Sequence, residues 1–121
     1  MKLKEALIAD VRKEGVWDEL HEWLFKIPPL KKYEEDGVIP IDALEKCMRI
    51  FEEKYGIQLQ YIMNIPQAAS KRQNEVGFYY SCSLKEKTAK NWIGTVYALT
   101  IYEAIVKMVL LSYGHIKSKQ K

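Results

Sequence analysis

The sequence has little of what enzyme and metal-site signatures are built from. It holds two cysteines, two histidines and six glycines in 121 residues, and none falls at the spacing of a metal site or a phosphate-cradling loop. Two cysteines are too few for the disulfide framework of a small secreted domain. Cys47 and Cys82 both occupy positions expected to face inward, so they read as buried free thiols. His21 and His115 lie far apart, and His21 sits beside Glu22, a neighbour that a helix does not turn toward it. His21 therefore reads as a solvated histidine, and Asp10, Asp18 and Glu22 as the solvent-facing charges of amphipathic helices. No Ser or Cys stands in a nucleophile motif. The expectation is a protein without catalytic activity, metal or cofactor.

Long apolar runs are also missing. The longest, around Met108 to Leu111, is far too short to span a bilayer. Met1 to Arg12 alternate charged and apolar positions, which does not describe a signal peptide. A cytoplasmic protein with no membrane partner is expected.

What is present is apolar surface in regular patterns. Apolar residues make up 48% of the chain, including three Trp and eight Tyr, which excludes a disordered chain and suffices for one core. From Pro40 to Tyr55, Ile41, Leu44, Cys47, Met48, Phe51 and Tyr55 recur at three- and four-residue steps, predicting an amphipathic helix that Gly56 ends. A closing helix is predicted from Thr100 to Gly114, because Thr100 and Glu103 have the spacing of a capping box. Between them lie three strand-like runs, Ile57 to Asn64, Glu75 to Ser83 and Asn91 to Leu99. The charged loop Leu84 to Lys90 predicts a hairpin. Closed symmetrically, it sets Ser83 opposite Asn91, Tyr80 opposite Gly94 and Gly77 opposite Tyr97, a tyrosine ring over each strand glycine.

Two shorter helices precede this unit. Leu3, Leu7, Ile8 and Val11 share one face of a helix ending near Gly15, and Trp17, Leu20, Leu24 and Ile27 share a face of the next, which Pro28 and Pro29 end. Lys31 to Gly37 reads as a linker. The whole is one α+β domain over residues 1–121: an N-terminal helical layer at 1–30, an α-β-β-β-α core at 38–114 with a three-stranded antiparallel sheet, and a basic flexible tail at 115–121. Charge is uneven. Residues 1–40 hold seven Lys/Arg and nine Asp/Glu, a net of −2, and residues 41–121 hold twelve and seven, a net of +5.

One surface stands out as a binding candidate. The proposed register gathers Tyr79, Ile93, Thr95 and Tyr97 on the outer sheet face with Gln58, Gln60 and Ile62, and Lys71 and Arg72 lie in the preceding loop. Such a face can take a protein partner's apolar side chains or, as the alternative, stack the bases of a single-stranded nucleic acid. The N-terminal helices, with Trp17 and Trp23, are the expected cover for it. The closing helix is apolar nearly all round, so Val106, Leu110 and Tyr113 are candidates for self-association as a symmetric homodimer.

The order helix, three strands, helix over residues 40–114 is similar to the double-stranded-RNA-binding domain. That family reads RNA with glycine and lysine at the start of its last helix, where this chain has Ala98, Leu99, Thr100, Ile101, Tyr102, Glu103 and Ala104. The resemblance therefore implies the order of elements and not the ligand. The segments Phe51-Glu52-Glu53-Lys54-Tyr55-Gly56-Ile57 and Thr100-Ile101-Tyr102-Glu103-Ala104 resemble those of small uncharacterised proteins of phages, prophages and mobile elements. That family implies no activity and supplies no functional residues. The role expected from these readings is a non-catalytic interaction or accessory protein.

Overall fold

The computed structural model describes residues 2–64, 80–88 and 92–120. Its elements are α1 (Leu3–Ile8), α2 (Val16–Phe25), a 3-10 turn (Pro28–Tyr33), α3 (Ile41–Tyr55), β1 (Ile57–Asn64), β2 (Tyr80–Glu86), β3 (Trp92–Ala98) and α4 (Ile101–Lys119). The class is α+β, with an antiparallel sheet in the order β1-β2-β3.

Local chemistry sets most boundaries where the sequence reading puts them. Pro40 caps α3 in extended geometry, and Gly56 takes the left-handed conformation, φ 68°, after its last turn. Gly15 does the same at φ 85° just ahead of α2. At the start of α4, Thr100 Oγ1 accepts the Glu103 N–H at 3.1 Å. Glu103 Oε2 returns the favour one residue earlier than a standard capping box, accepting the Leu99 N–H at 2.9 Å.

Three expectations are corrected. Helix α1 stops at Ile8, which is exposed rather than part of an inner stripe. The stretch expected to be a linker begins as the 3-10 turn, which buries Leu30. The predicted flexible tail is the last turns of α4, which run through Gly114 to Lys119. Gly114 is a packing residue: a Cβ there would lie 3.0 Å from Leu3 Cδ2 of α1. The extension is held to the sheet by Glu86 at the end of β2, whose Oε1 accepts from His115 Nε2 and from Lys119 Nζ, each at 2.6 Å.

The hairpin register also differs. Ser83 pairs with Thr95, Tyr80 with Ala98, Ser81 with Tyr97 and Leu84 with Gly94. The strand continues past Ser83 because Leu84 has the inward parity of Cys82, and both are fully buried. Ser83 Oγ lies 2.9 Å from Thr95 Oγ1, a cross-strand hydroxyl pair that suits this alignment. Gly94 is covered by helix α4 rather than by Tyr80: a Cβ on it would come within 3.2 Å of a Leu111 methyl. The glycine lets helix and sheet approach closely.

The core has two connected parts. Cys82, Leu84, Val96 and Ala98 of the sheet meet Ala104 and Met108 of α4. On the other side of α4, Val106, Val109 and Leu110 meet Leu7, Leu20, Leu24, Leu44, Cys47 and Phe51 from the three preceding helices, and Ile27 just ahead of the 3-10 turn. The N-terminal helices thus cover α4, and among the described elements α4 packs on the sheet, chiefly on β3 and also on β2. Ile105 touches both parts. No helix among the described residues is long and apolar enough to cross a membrane.

Two stability outcomes follow. Gly94→Val should cost about 1–3 kcal/mol, because the Leu111 methyls must move to admit it. Leu110→Ala should cost about 2–5 kcal/mol in urea unfolding. Leu110→Glu should unfold the chain rather than dissociate an oligomer.

Candidate interaction surfaces

The sequence candidates are not all brought together. Lys71, Arg72 and Tyr79 lie outside the described residues. Tyr97 and Thr95 do occupy the face opposite α4, with Thr95 exposed and Tyr97 partly so. Ile93 does not: it packs against both core clusters. The cause is an irregularity in β3, where Leu84 pairs with Gly94 but Lys85 pairs with Trp92, so that Ile93 is skipped. One extra residue reverses side-chain parity beyond it, turning Ile93 inward and Trp92 outward. Trp92 is 51% exposed, and Lys85 Nζ stands 6.0 Å from its ring centroid. A second irregularity skips Gln60 in β1, pairing Tyr61 with Ser83 and Ile62 with Cys82, which changes the expected β1 contribution to this face. Trp92 was missed because strict alternation assigns it to the core, and a bulge leaves no mark in a binary pattern.

The self-association candidates are also corrected. Val106 and Leu110 are fully buried within the single chain, and Tyr113 packs against the same cluster. Helices α1, α2 and α3 cover the surface that motivated a homodimer. Covering α4 uses the apolar stripes that were expected to shield the outer sheet face.

A second surface was not foreseen. Trp17, His21 and Phe25 recur at four-residue intervals on α2 and form a continuous aromatic row: Trp17 and His21 centroids are 4.8 Å apart at 74°, and His21 and Phe25 6.2 Å apart. Tyr102 of α4 extends the row, 6.1 Å from Trp17, and its hydroxyl donates to Ile39 O at 2.6 Å. That bond ties the segment before α3 to α4. Asp18 and Glu22 run parallel to the row one position on. With Gly37 and Val38, these residues line an open groove of about 410 Å³. His21 is half-buried rather than solvated, and its Nδ1 lies 2.8 Å from Trp17 O. A carbonyl only accepts, so Nδ1 carries the hydrogen in this contact. The four-residue recurrence of Trp17, His21 and Phe25 was legible in the sequence, whereas their shared wall with Tyr102 was not.

The buried titratable groups serve the fold. Lys107 is fully buried, donates to Tyr97 O at 2.8 Å, and stands 3.6 Å from Glu103 Oε2. Burial pushes its ammonium below the ordinary lysine value, opposed by Glu103 and Asp10. Glu103 is itself buried, so solvent reaches neither group. The Cys47 thiol is pushed up to about 11 by burial and Cys82 is raised for the same reason, which suppresses the reactive thiolate. Among the described residues no His, Cys, Asp or Glu side chains gather as metal ligands.

Asp10 provides a measurable pH response. Its carboxylate accepts from Arg12 Nε at 2.9 Å and from a terminal guanidinium nitrogen at 2.8 Å, and these bonds lower it from 3.8 to about 2. The folded value is depressed, so this pair's contribution is complete above 3.8 and is lost as pH falls toward 2. Asp10→Asn should flatten that limb of the stability profile. Glu103→Ala should cost about 3–5 kcal/mol by removing the carboxylate beside the buried Lys107 charge and the acceptor of the Leu99 N–H, and Glu103→Leu with Lys107→Met should recover most of it in urea unfolding. Comparison with protein-family models, with characterised proteins and with solved structures found no match, so these surfaces are interpreted from their own geometry.

Proposed function

We propose that the protein is a non-catalytic interaction or accessory protein, acting in the cytoplasm, that docks a partner chain on the outer face of its sheet. Its resemblance to proteins of phages and mobile elements supports the same kind of origin. The observation that carries the reading is Trp92, a half-exposed indole on an edge strand beside Thr95 and Tyr97. A tryptophan left half exposed gains the rest of its burial energy when a partner covers it, and such rings dominate binding at interfaces.

Single-stranded nucleic acid is the second reading, favoured by Lys85 beside the Trp92 ring. A base stacked on the indole would place a phosphate near that ammonium.

Trp92→Ala separates structure from function. Its effect on unfolding should stay within about 0.5 kcal/mol, as for surface positions generally. Affinity enrichment from the cells that make the protein should recover a protein partner with the wild type and lose it with Trp92→Ala. Fluorescence anisotropy with a labelled oligothymidylate should show little binding at physiological salt. Tight, salt-sensitive oligonucleotide binding that requires Trp92 and Lys85 would replace the first reading with the second.

A further inference from the structure

The groove between α2 and α4 has a chemistry of its own, separate from the sheet face. Its floor is the aromatic row Trp17, His21 and Phe25 with Tyr102, and its rim carries the carboxylates Asp18 and Glu22. Among the described residues no lysine or arginine lines it. In the chain, the acidic run Glu34, Glu35 and Asp36 immediately precedes Gly37. Val38 is 67% exposed where it lines the same groove.

Elsewhere on the molecule, several half-buried rings have a lysine near them. Lys26 Nζ lies 4.1 Å from the Trp23 ring, and Lys32 and Lys117 stand over Tyr33 and Tyr113. Lys26 and Lys31 line the neighbouring depression, which shares Glu22 and Phe25 with the groove and also holds Glu34, and Lys26 is already engaged by Trp23. Among the described residues no cation occupies the Trp17, Phe25 or Tyr102 rings. An aromatic row with acidic rim and no cation of its own is complementary to a positively charged group with a flat, weakly hydrated face.

We propose that this groove receives an arginine side chain of a partner protein. The guanidinium is the cation that fits both rows at once. Its plane stacks on aromatic rings while its N–H fork reaches carboxylates, whereas an ammonium is more strongly hydrated and lacks the planar face. The methylene stem lies against Val38 and Phe25. The volume of about 410 Å³ accommodates a single side chain with the backbone on either side of it.

The test uses the full-length protein and three capped tripeptides, with arginine, citrulline or lysine at the centre, followed by amide and indole NMR shifts. The arginine peptide should shift signals of Trp17, His21 and Tyr102 with a millimolar dissociation constant. Citrulline keeps the shape without the charge and should bind far more weakly, and lysine should bind less well than arginine. Asp18→Asn with Glu22→Gln should weaken arginine binding roughly tenfold, since both charge-assisted contacts are lost. These two positions are exposed, so the same spectra will show the fold unchanged. Glu52→Gln with Glu53→Gln, equally exposed on α3, should leave binding as it is. The proposal is overturned if no localised shift develops by about 20 mM peptide. It is equally overturned if citrulline or lysine binds as well as arginine, or if the Asp18 and Glu22 changes have no more effect than the α3 control. Trp92→Ala leaves this binding intact, so failure here and failure of the sheet-face reading are distinguishable.

Discussion

Helix α4 has almost no polar face, and the architecture is the set of arrangements that keep it dry. Val106, Val109 and Leu110 need cover on one side while Ala104 and Met108 need it on the other. The sheet supplies one wall and the three preceding helices supply the other. A helix buried on two sides must sit at the centre of a layered domain, because a single apolar partner hides only one stripe. The length of α4 follows from the same demand. Its last turns continue past Gly114 because Leu3 packs at that point and Glu86 anchors His115 and Lys119.

Within that apolar setting Lys107 and Glu103 are the charged exception, and they are placed where backbone would otherwise be unsatisfied. Glu103 accepts the Leu99 N–H, and Lys107 donates to the Tyr97 carbonyl. The pair therefore joins the end of β3 to the first turns of α4. A buried pair of this kind adds little net stability over apolar residues of the same size, yet either partner alone is costly. Its effect is to fix where the helix starts relative to the strand.

Covering α4 determines which surfaces remain for binding. The N-terminal helices turn their stripes toward α4, so the opposite sheet face keeps Trp92, Thr95 and Tyr97 accessible to solvent. The same packing carries Trp17 of α2 against Tyr102 of α4 and opens the acidic, aromatic groove between them. Both candidate surfaces are by-products of one packing requirement, and they differ in chemistry: a half-exposed indole with a lysine beside it, and an aromatic row edged by carboxylates.

Local chemistry was readable from the chain alone. Pro40 and Gly56 bracket α3, Thr100 and Glu103 open α4, β1 spans Ile57 to Asn64, and the inward parity of Cys82 follows from a two-residue period. Each of these depends on residues within a few positions of one another. Tertiary packing decided the rest. Leu111 over Gly94 and Leu3 over Gly114 turned two glycines into contact points, one of which had read as a helix stop. The skipped Ile93 exchanged an expected surface residue for Trp92, because a bulge reverses parity without altering composition. His21 gained its partners Trp17 and Phe25 from helical periodicity, but the groove exists only because Tyr102, eighty-odd positions away, is brought against them. Periodicity shows which side of an element is apolar, and only the assembled layers show what that side meets.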